Sequence, residues 1–253
     1  MIDRHEHEGR IAIVTGGGRG FGKAFGHALA ERGAHVVLAD IDETAGEAAA
    51  AEIRAAGGQA SAAPCDVADE AQVGAMVADI VGRFGGVDIL INNAGLHSGS
   101  YNEPMAKSGI AKLRRLFDVN VMGVIVCTLA ARPAMAGRPG AAIVNISSTA
   151  AYGCATAYGV SKLAVAGLTM TSARELGPDG IRVNAISPGL ILTDTNRREL
   201  SDATIDFVKG QQIVKRDGSE QDIVDTMLYL VSERSSFVTG ETLRISGGFS
   251  LAI

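Results

Sequence analysis

The chain is poor in the residues that build disulfide frameworks, metal clusters and nucleic-acid grips. Three cysteines, Cys65, Cys127 and Cys154, are scattered through 253 residues with no Cys-x-x-Cys pair. An odd, dispersed set does not make a disulfide framework and is expected to remain as reduced thiols in a reducing compartment. No basic cluster stands out against a net charge of −5, which argues against nucleic acid as a partner. Residues 1–10 are charged and lack the apolar stretch of a signal peptide. The uncharged run 139–161 is long enough to span a bilayer, but it is rich in Ser, Thr, Asn and Gly, so no membrane partner is expected. A cytoplasmic location follows as the expectation. His5 and His7 have no third ligand nearby, so residues 1–9 are expected to form a flexible leader and no metal site is expected.

What is present is an ordinary globular balance, 47% hydrophobic and 20% charged, in a length ample for a sizeable core. Apolar runs at 11–14, 35–39, 59–63, 87–91, 141–146, 181–187 and 241–245 read as strands. Helical periodicity at 23–32, 43–56, 70–84, 110–135, 163–176 and 221–232 fills most of the gaps. Strands alternating with helices mean a parallel sheet with right-handed crossovers. The expected fold is α/β, a single-domain, Rossmann-type doubly wound sheet of about seven strands over residues 10–253. Residues 194–218 show no firm pattern, and the region around 190–215 is expected to act as a substrate lid.

In such a sheet ligands lie beyond the carboxyl ends of the strands. The first strand ends in Thr15-Gly16-Gly17-Gly18-Arg19-Gly20-Phe21-Gly22, directly before a helix. Glycines there let backbone amides approach a pyrophosphate that the helix N-terminus also attracts. Asp40 closes the second strand, where a carboxylate can hold both ribose hydroxyls of an adenosine and repel a 2′-phosphate. It therefore argues for NAD over NADP. Arg19 cuts the other way, since it could reach a phosphate or simply be solvated. Asp66 and Val67 end the third strand, with Asp66 a candidate for the adenine amino group, and Asn92-Asn93-Ala94-Gly95 ends the fourth. Pro188-Gly189-Leu190-Ile191-Leu192-Thr193 breaks the sixth strand, and its backbone and the Thr193 hydroxyl could meet a nicotinamide carboxamide.

Tyr158 and Lys162 stand one helical turn apart if the helix has begun by Tyr158. A nearby ammonium favours the phenolate, so the pair could take a proton from an alcohol, or return one to a carbonyl, near neutral pH. A serine from Ser147-Ser148 could hold the same oxygen. Asn120 is the polar exception in a helix that is otherwise apolar nearly all round from Val119 to Ala131. It could hold a water on a proton path from Lys162 or be satisfied locally. The apolar girth of that helix suggests burial, partly against another subunit.

In these four motifs the chain resembles the classical short-chain dehydrogenase/reductase family: Thr-Gly-x-x-x-Gly-x-Gly at Thr15–Gly22, Asn-Asn-Ala-Gly at Asn92–Gly95, Tyr-x-x-x-Lys at Tyr158–Lys162 and Pro-Gly-x-x-x-Thr at Pro188–Thr193. The resemblance spans roughly residues 10–249. It implies a catalytic tetrad of Asn120, Ser148, Tyr158 and Lys162, with NAD(P) taking or giving a hydride at an alcohol or ketone carbon. Tyr158 would be the acid/base, Lys162 would lower its pKa and hold the nicotinamide ribose, and Ser148 would bind the substrate oxygen. It also implies a homotetramer. Tyr158 follows Ser148 by only ten positions, fewer than is usual in the family, so the loop between them is short. A rival expectation is a silent NAD-binding sensor or scaffold on the same fold, and a third is a lyase or epimerase that uses NAD without net redox change.

Overall fold

A computed structural model of the chain describes residues 5–101, 103–192 and 201–251. Seven strands form one sheet: β1 Ile11–Thr15, β2 His35–Asp40, β3 Gln59–Pro64, β4 Ile89–Asn92, β5 Ala142–Ile146, β6 Arg182–Pro188 and β7 Thr242–Ile245. All pairings are parallel, in the order β3-β2-β1-β4-β5-β6-β7. Parallel strands need covered faces, and the central strands β1, β4 and β5 are buried along their whole length. Successive side chains alternate: Val14 and Leu38 enter one core with Phe25, Leu29 and Ile53, while Ile13 and Val37 enter the other with Ile80, Leu90 and Ile143. Helices α1 (Gly20–Ala30), α2 (Glu43–Ala55) and α7 (Glu220–Val231) cover the first face. Helices α3 (Glu70–Phe84), α4 (Ile110–Met135) and α5 (Ala157–Leu176) cover the second. The strand order turns back between β1 and β4, and the crevice at that switch is where the glycine turn and the Asn-Asn-Ala-Gly turn meet.

Three details differ from the expectations: a π turn within α4, the packing of the leader, and a helix within the expected lid. Helix α4 is long and apolar enough to cross a membrane by length and composition, yet it packs on the sheet with Leu116, Val119, Cys127, Ala131 and Met135 buried. It is also not a uniform α-helix: residues Asp118–Met122 wind as a π turn that carries Asn120. Hydrophobic period alone cannot reveal such an extra residue, and π turns concentrate where a side chain must be re-aimed.

The expected leader, residues 1–9, falls partly outside the described residues. From His5 onward the structure places a packed turn where a solvated tail was expected. His7 is 0% exposed, and its backbone N–H donates to Arg32 O at 2.9 Å. Glu6 lies 3.4 Å from Arg234 and 3.9 Å from Arg32. Burial, followed by the charges of Arg10 and Arg32, lowers the His7 pKa to about 4.

Within the expected lid, residues 193–200 lie outside the described part. Residues Asp202–Gln211 form a helix, α6, with Ser201 as N-cap. Its small apolar groups interleaved with charges hid the periodicity.

Candidate active site

A cleft of about 880 Å³ opens at the carboxyl ends of the strands, and residues from the glycine turn, β4, β5, α5, β6, α6 and the C-terminal segment line it. Among the candidates, Gly16, Arg19, Gly20, Phe21, Asn93, Ala94, Gly95, Ser148, Tyr158, Lys162 and Pro188 all face it.

The glycine turn is shaped by what cannot fit. Gly16 has φ +61°, and a Cβ there would meet Ala94 Cα at 2.9 Å. A Cβ on Gly22 would stand 2.0 Å from Gly16 O, so only glycine lets helix α1 begin against the turn. Asn93 braces the turn from the other strand: its Nδ2 donates to Thr15 O at 2.9 Å and Gly16 O at 3.1 Å. Thr15 Oγ1 accepts from the Asn93 and Ala94 amides, each at 3.0 Å. The Asn93 amide thus serves the protein's own backbone, leaving the adjacent peptide surface to the cleft.

Helix α1 has no side-chain cap and no acidic residue in its first turn. By contrast Asp42, Asp69 and Ser219 cap α2, α3 and α7, and each of those first turns carries acid. Uncapped amides at the positive end of a helix, beside a glycine cradle that a Cβ would fill, suit the pyrophosphate of a dinucleotide.

Asp40 is not the cap of α2; that role falls to Asp42, whose carboxylate accepts from Ala45 N. Asp40 Oδ2 accepts from Gly18 N at 2.8 Å and Oδ1 from Asp42 N at 2.9 Å. The carboxylate is therefore fixed at the edge of the glycine turn with lone pairs to spare for a ribose diol. Arg19 is exposed and ion-paired with Asp42. Asp66 and Val67 lie just past the end of β3 and do not line the cleft. Asp66 accepts from Arg115 at 2.8 Å and from Ala68 N at 3.0 Å, while Val67 is buried against Gly123. Ile191 is buried too, bridging to Gly218, and Thr193 lies outside the described residues.

The proton chemistry sits at the start of α5. Thr156 caps this helix through Gly159 N, so Tyr158 and Lys162 share one face and both turn inward, 9% and 5% exposed. Lys162 Nζ lies 5.8 Å from the Tyr158 ring centroid and donates to Ile146 O at 2.8 Å. Of the two serines, Ser147 is buried and spends its hydroxyl on Lys162 O at 2.8 Å. Ser148 lines the cleft and hydrogen-bonds the phenol. The geometry thus separates a scaffold serine from one that can meet a substrate.

Burial pushes the Tyr158 phenol up to about 12, with the Ser148 bond opposing it, and burial pulls the Lys162 ammonium down to about 8. The expected lowering of the phenol by Lys162 is not what the structure gives: desolvation disfavours both charged forms, and the Ser148 hydroxyl is what opposes the rise of the phenol.

Asn120 lies in the π turn and faces away from solvent. Its Oδ1 accepts from Leu96 N at 2.7 Å, and its Nδ2 donates to Leu96 O and Ser161 Oγ, each at 3.2 Å. A Cβ added at Gly95 would stand 3.3 Å from Asn120 Oδ1 and 3.4 Å from Lys162 Nζ, so the amide and the ammonium border one small space.

One wall joins the expected lid region to a segment that sequence reasoning missed, the residues after β7. Thr204 and Val208 of α6 and Phe249, Ser250 and Leu251 after β7 face the cleft. The one available signal was Gly247-Gly248 just past the last strand, both with positive φ, marking a turn at the functional end of the sheet. The short Ser148–Tyr158 link folds as a single helical turn, Ala150–Gly153, ended by Cys154 in the left-handed region at φ 44°.

A glycine-lined crevice at the switch point of the sheet, faced by the inward-turned Tyr158 and Lys162 and by Ser148, is the arrangement of an oxidoreductase on a Rossmann-type fold. The comparisons make the class specific. A family model described as enoyl-(acyl carrier protein) reductase matches residues 16–250. An uncharacterized oxidoreductase of Mycobacterium tuberculosis is 41% identical over 241 residues, covering 95% of this chain and 97% of the relative. The 3-oxoacyl-(acyl-carrier-protein) reductase FabG of Staphylococcus aureus is 36% identical over 249 residues, covering 94% and 97%. A solved 7 alpha-hydroxysteroid dehydrogenase, complexed with NADH and 7-oxo glycochenodeoxycholic acid, superposes with a TM-score of 0.91 at 34% identity, covering 98% of this chain and 97% of its own. The chain belongs to the short-chain dehydrogenase/reductase family.

Proposed function

We propose that the protein transfers a hydride between NAD and a secondary alcohol or ketone, with Tyr158 as the acid/base. The observation that carries this reading is the convergence of Ser148, Tyr158 and Lys162 on the cleft that also holds the glycine turn. When bound, the nicotinamide gives or takes the hydride. Gly16, Gly20, Gly22 and the amides of α1 would hold its pyrophosphate, and Asp40 would hold the adenosine ribose. A carboxylate fixed at that spot supports NAD over NADP, since a 2′-phosphate would be held against it.

Each side chain then has one task. Ser148 donates a hydrogen bond to the substrate oxygen. Tyr158, protonated at neutral pH, delivers its proton to the oxygen as a carbonyl is reduced; in the reverse direction its phenolate form takes the proton of the alcohol. Lys162 stays largely charged near pH 7 even with its pKa lowered to about 8, and a charge beside the phenol stabilises the phenolate that alcohol oxidation requires.

Exposed apolar side chains on the long helices, Met122 and Leu129 on α4 with Val160, Leu163 and Met170 on α5, support self-association, and a homotetramer is the proposed assembly. Three scattered cysteines, with Cys65 and Cys127 buried, support a cytoplasmic location.

A coenzyme-reduction screen over secondary alcohols, with NAD and NADP side by side, tests the reading. Turnover favouring NAD is expected. Tight NAD binding without turnover on any alcohol or ketone would instead favour a sensor role.

A further inference from the structure

Ser161 belongs neither to the cleft wall nor to the chemistry above, yet it lies between Tyr158 and Lys162 in the chain and is 0% exposed. A buried hydroxyl needs a partner for its proton. Ser161 Oγ donates to Tyr158 O at 2.7 Å, three residues back along α5. A carbonyl oxygen only accepts, so the direction of this bond is fixed and the hydroxyl has lone pairs left to offer. Asn120 Nδ2 uses one of them, donating to Ser161 Oγ at 3.2 Å.

These two bonds make Ser161 a joint between elements. On one side Asn120, in the π turn of α4, grips the Leu96 peptide through Leu96 N at 2.7 Å and Leu96 O at 3.2 Å. On the other side Tyr158 O belongs to the first turn of α5, which Thr156 caps. A run of hydrogen bonds therefore leads from the backbone just past Gly95, through Asn120 and Ser161, to the peptide of Tyr158. Lys162 is anchored differently: its carbonyl accepts from Ser147 Oγ and its ammonium donates to Ile146 O, each at 2.8 Å, which ties it to β5. A serine that bonds back to an earlier helical carbonyl also bends its helix, and here the bend falls on the turn that carries the phenol.

We infer that Ser161 is a positioning residue: it couples the π turn of α4 to the first turn of α5 and so holds Tyr158 in the pose that meets Ser148 and the substrate oxygen. This rests on the dehydrogenase reading above. Its energetic basis is twofold. Removing the hydroxyl takes an acceptor from a buried N–H of Asn120, and a small displacement of an acid/base away from the reacting atom is costly in rate.

The kinetic test is a cycle of Ser161→Ala, Asn120→Ala and the double variant, with an alcohol found in the coenzyme screen. In Ser161→Ala, kcat is expected to fall about tenfold, with the Kd for NAD kept within a factor of about three. In the Asn120→Ala background Ser161 has lost its partner, so adding Ser161→Ala should cost less than about twofold more. Losses that simply multiply, or a Ser161→Ala protein that melts earlier but keeps its kcat, would overturn the assignment in favour of plain packing.

A second readout needs no turnover. The chain holds four tyrosines, Tyr101, Tyr152, Tyr158 and Tyr229. In protein labelled with 3-fluorotyrosine, the fluorine resonance of Tyr158 is the one that Tyr158→Phe removes. Ser161→Ala is expected to shift or broaden that resonance at neutral pH while those of Tyr152 and Tyr229 stay in place. A Tyr158 resonance indifferent to Ser161→Ala overturns the proposal. A complete lack of turnover on every alcohol and ketone would remove the dehydrogenase reading instead, and the fluorine spectrum would still decide whether Ser161 positions Tyr158.

Discussion

On the β1–β2 side of the cleft, recognition is built from backbone; on the β5–α5 side it is built from buried side chains. The first side works by exclusion: Gly16 and Gly22 leave space that any Cβ would fill, and the uncapped amides of α1 face it. The second works by desolvation: Tyr158 and Lys162 are taken out of water, and their proton affinities move in opposite directions as a result. A backbone site tolerates almost no change of shape. A side-chain site tolerates changes of shape better than changes of charge or proton inventory.

Substitutions should therefore separate the two sides. The largest effect is expected from Tyr158→Phe, which keeps the shape and removes the proton: kcat should fall by about 10²–10⁴ while the Kd for NAD stays within a factor of a few. Stopped-flow turnover beside coenzyme titration checks this, and a matching loss of coenzyme affinity would blur the two sides. Gly22→Ala should do the reverse. Its Cβ is forced toward Gly16 O, so about 1–3 kcal/mol of stability is lost and NAD binding weakens well before chemistry does. Thermal unfolding with and without NAD measures both.

A smaller effect is expected from Asp40→Ser. Removing the carboxylate should raise the relative preference for NADP by roughly tenfold, about 1.4 kcal/mol, with kcat for NAD little altered.

The subtlest effect is on stability against pH. The folded-state pKa of Lys162 is lowered to about 8, below its ordinary 10.5, so the unfolded chain binds more protons between those values. Stability should accordingly rise as pH climbs from 8 to 10.5, by up to about 3 kcal/mol from this group. Tyr158 has the opposite sign: with its pKa raised from 10 to about 12, stability should fall between those values. In Lys162→Met the rise above pH 8 should flatten, which chemical denaturation at stepped pH would show.

The same contrast explains what could be read from the residues alone. Seven strands, the parallel alternation, the glycine turn and Asp40 were legible because each depends on local pattern: apolar runs, glycines where a Cβ is forbidden, an acid at a strand end. Tyr158 and Lys162 were legible because one helical turn joins them. What joins through space was not. The preference for Ser148 over Ser147 becomes explicable only when Ser147 is seen bonding Lys162 O. The grip of Asn120 on Leu96 needs the π turn, which leaves no mark on hydrophobic spacing. The wall formed by Val208 and Phe249 unites helix α6 with the segment after β7, far apart in the chain. The burial of His7 defied its polar neighbours because Arg32 and Arg234, distant in sequence, fold over Glu6 beside it.

The most direct test follows the hydrogen itself. A secondary alcohol identified in the coenzyme screen, deuterated at its carbinol carbon, is oxidised with NAD, and the reduced coenzyme is weighed by mass spectrometry. The account predicts one deuterium in each reduced coenzyme and none released to water. Deuterium appearing in solvent, or product forming without reduced coenzyme, would contradict it.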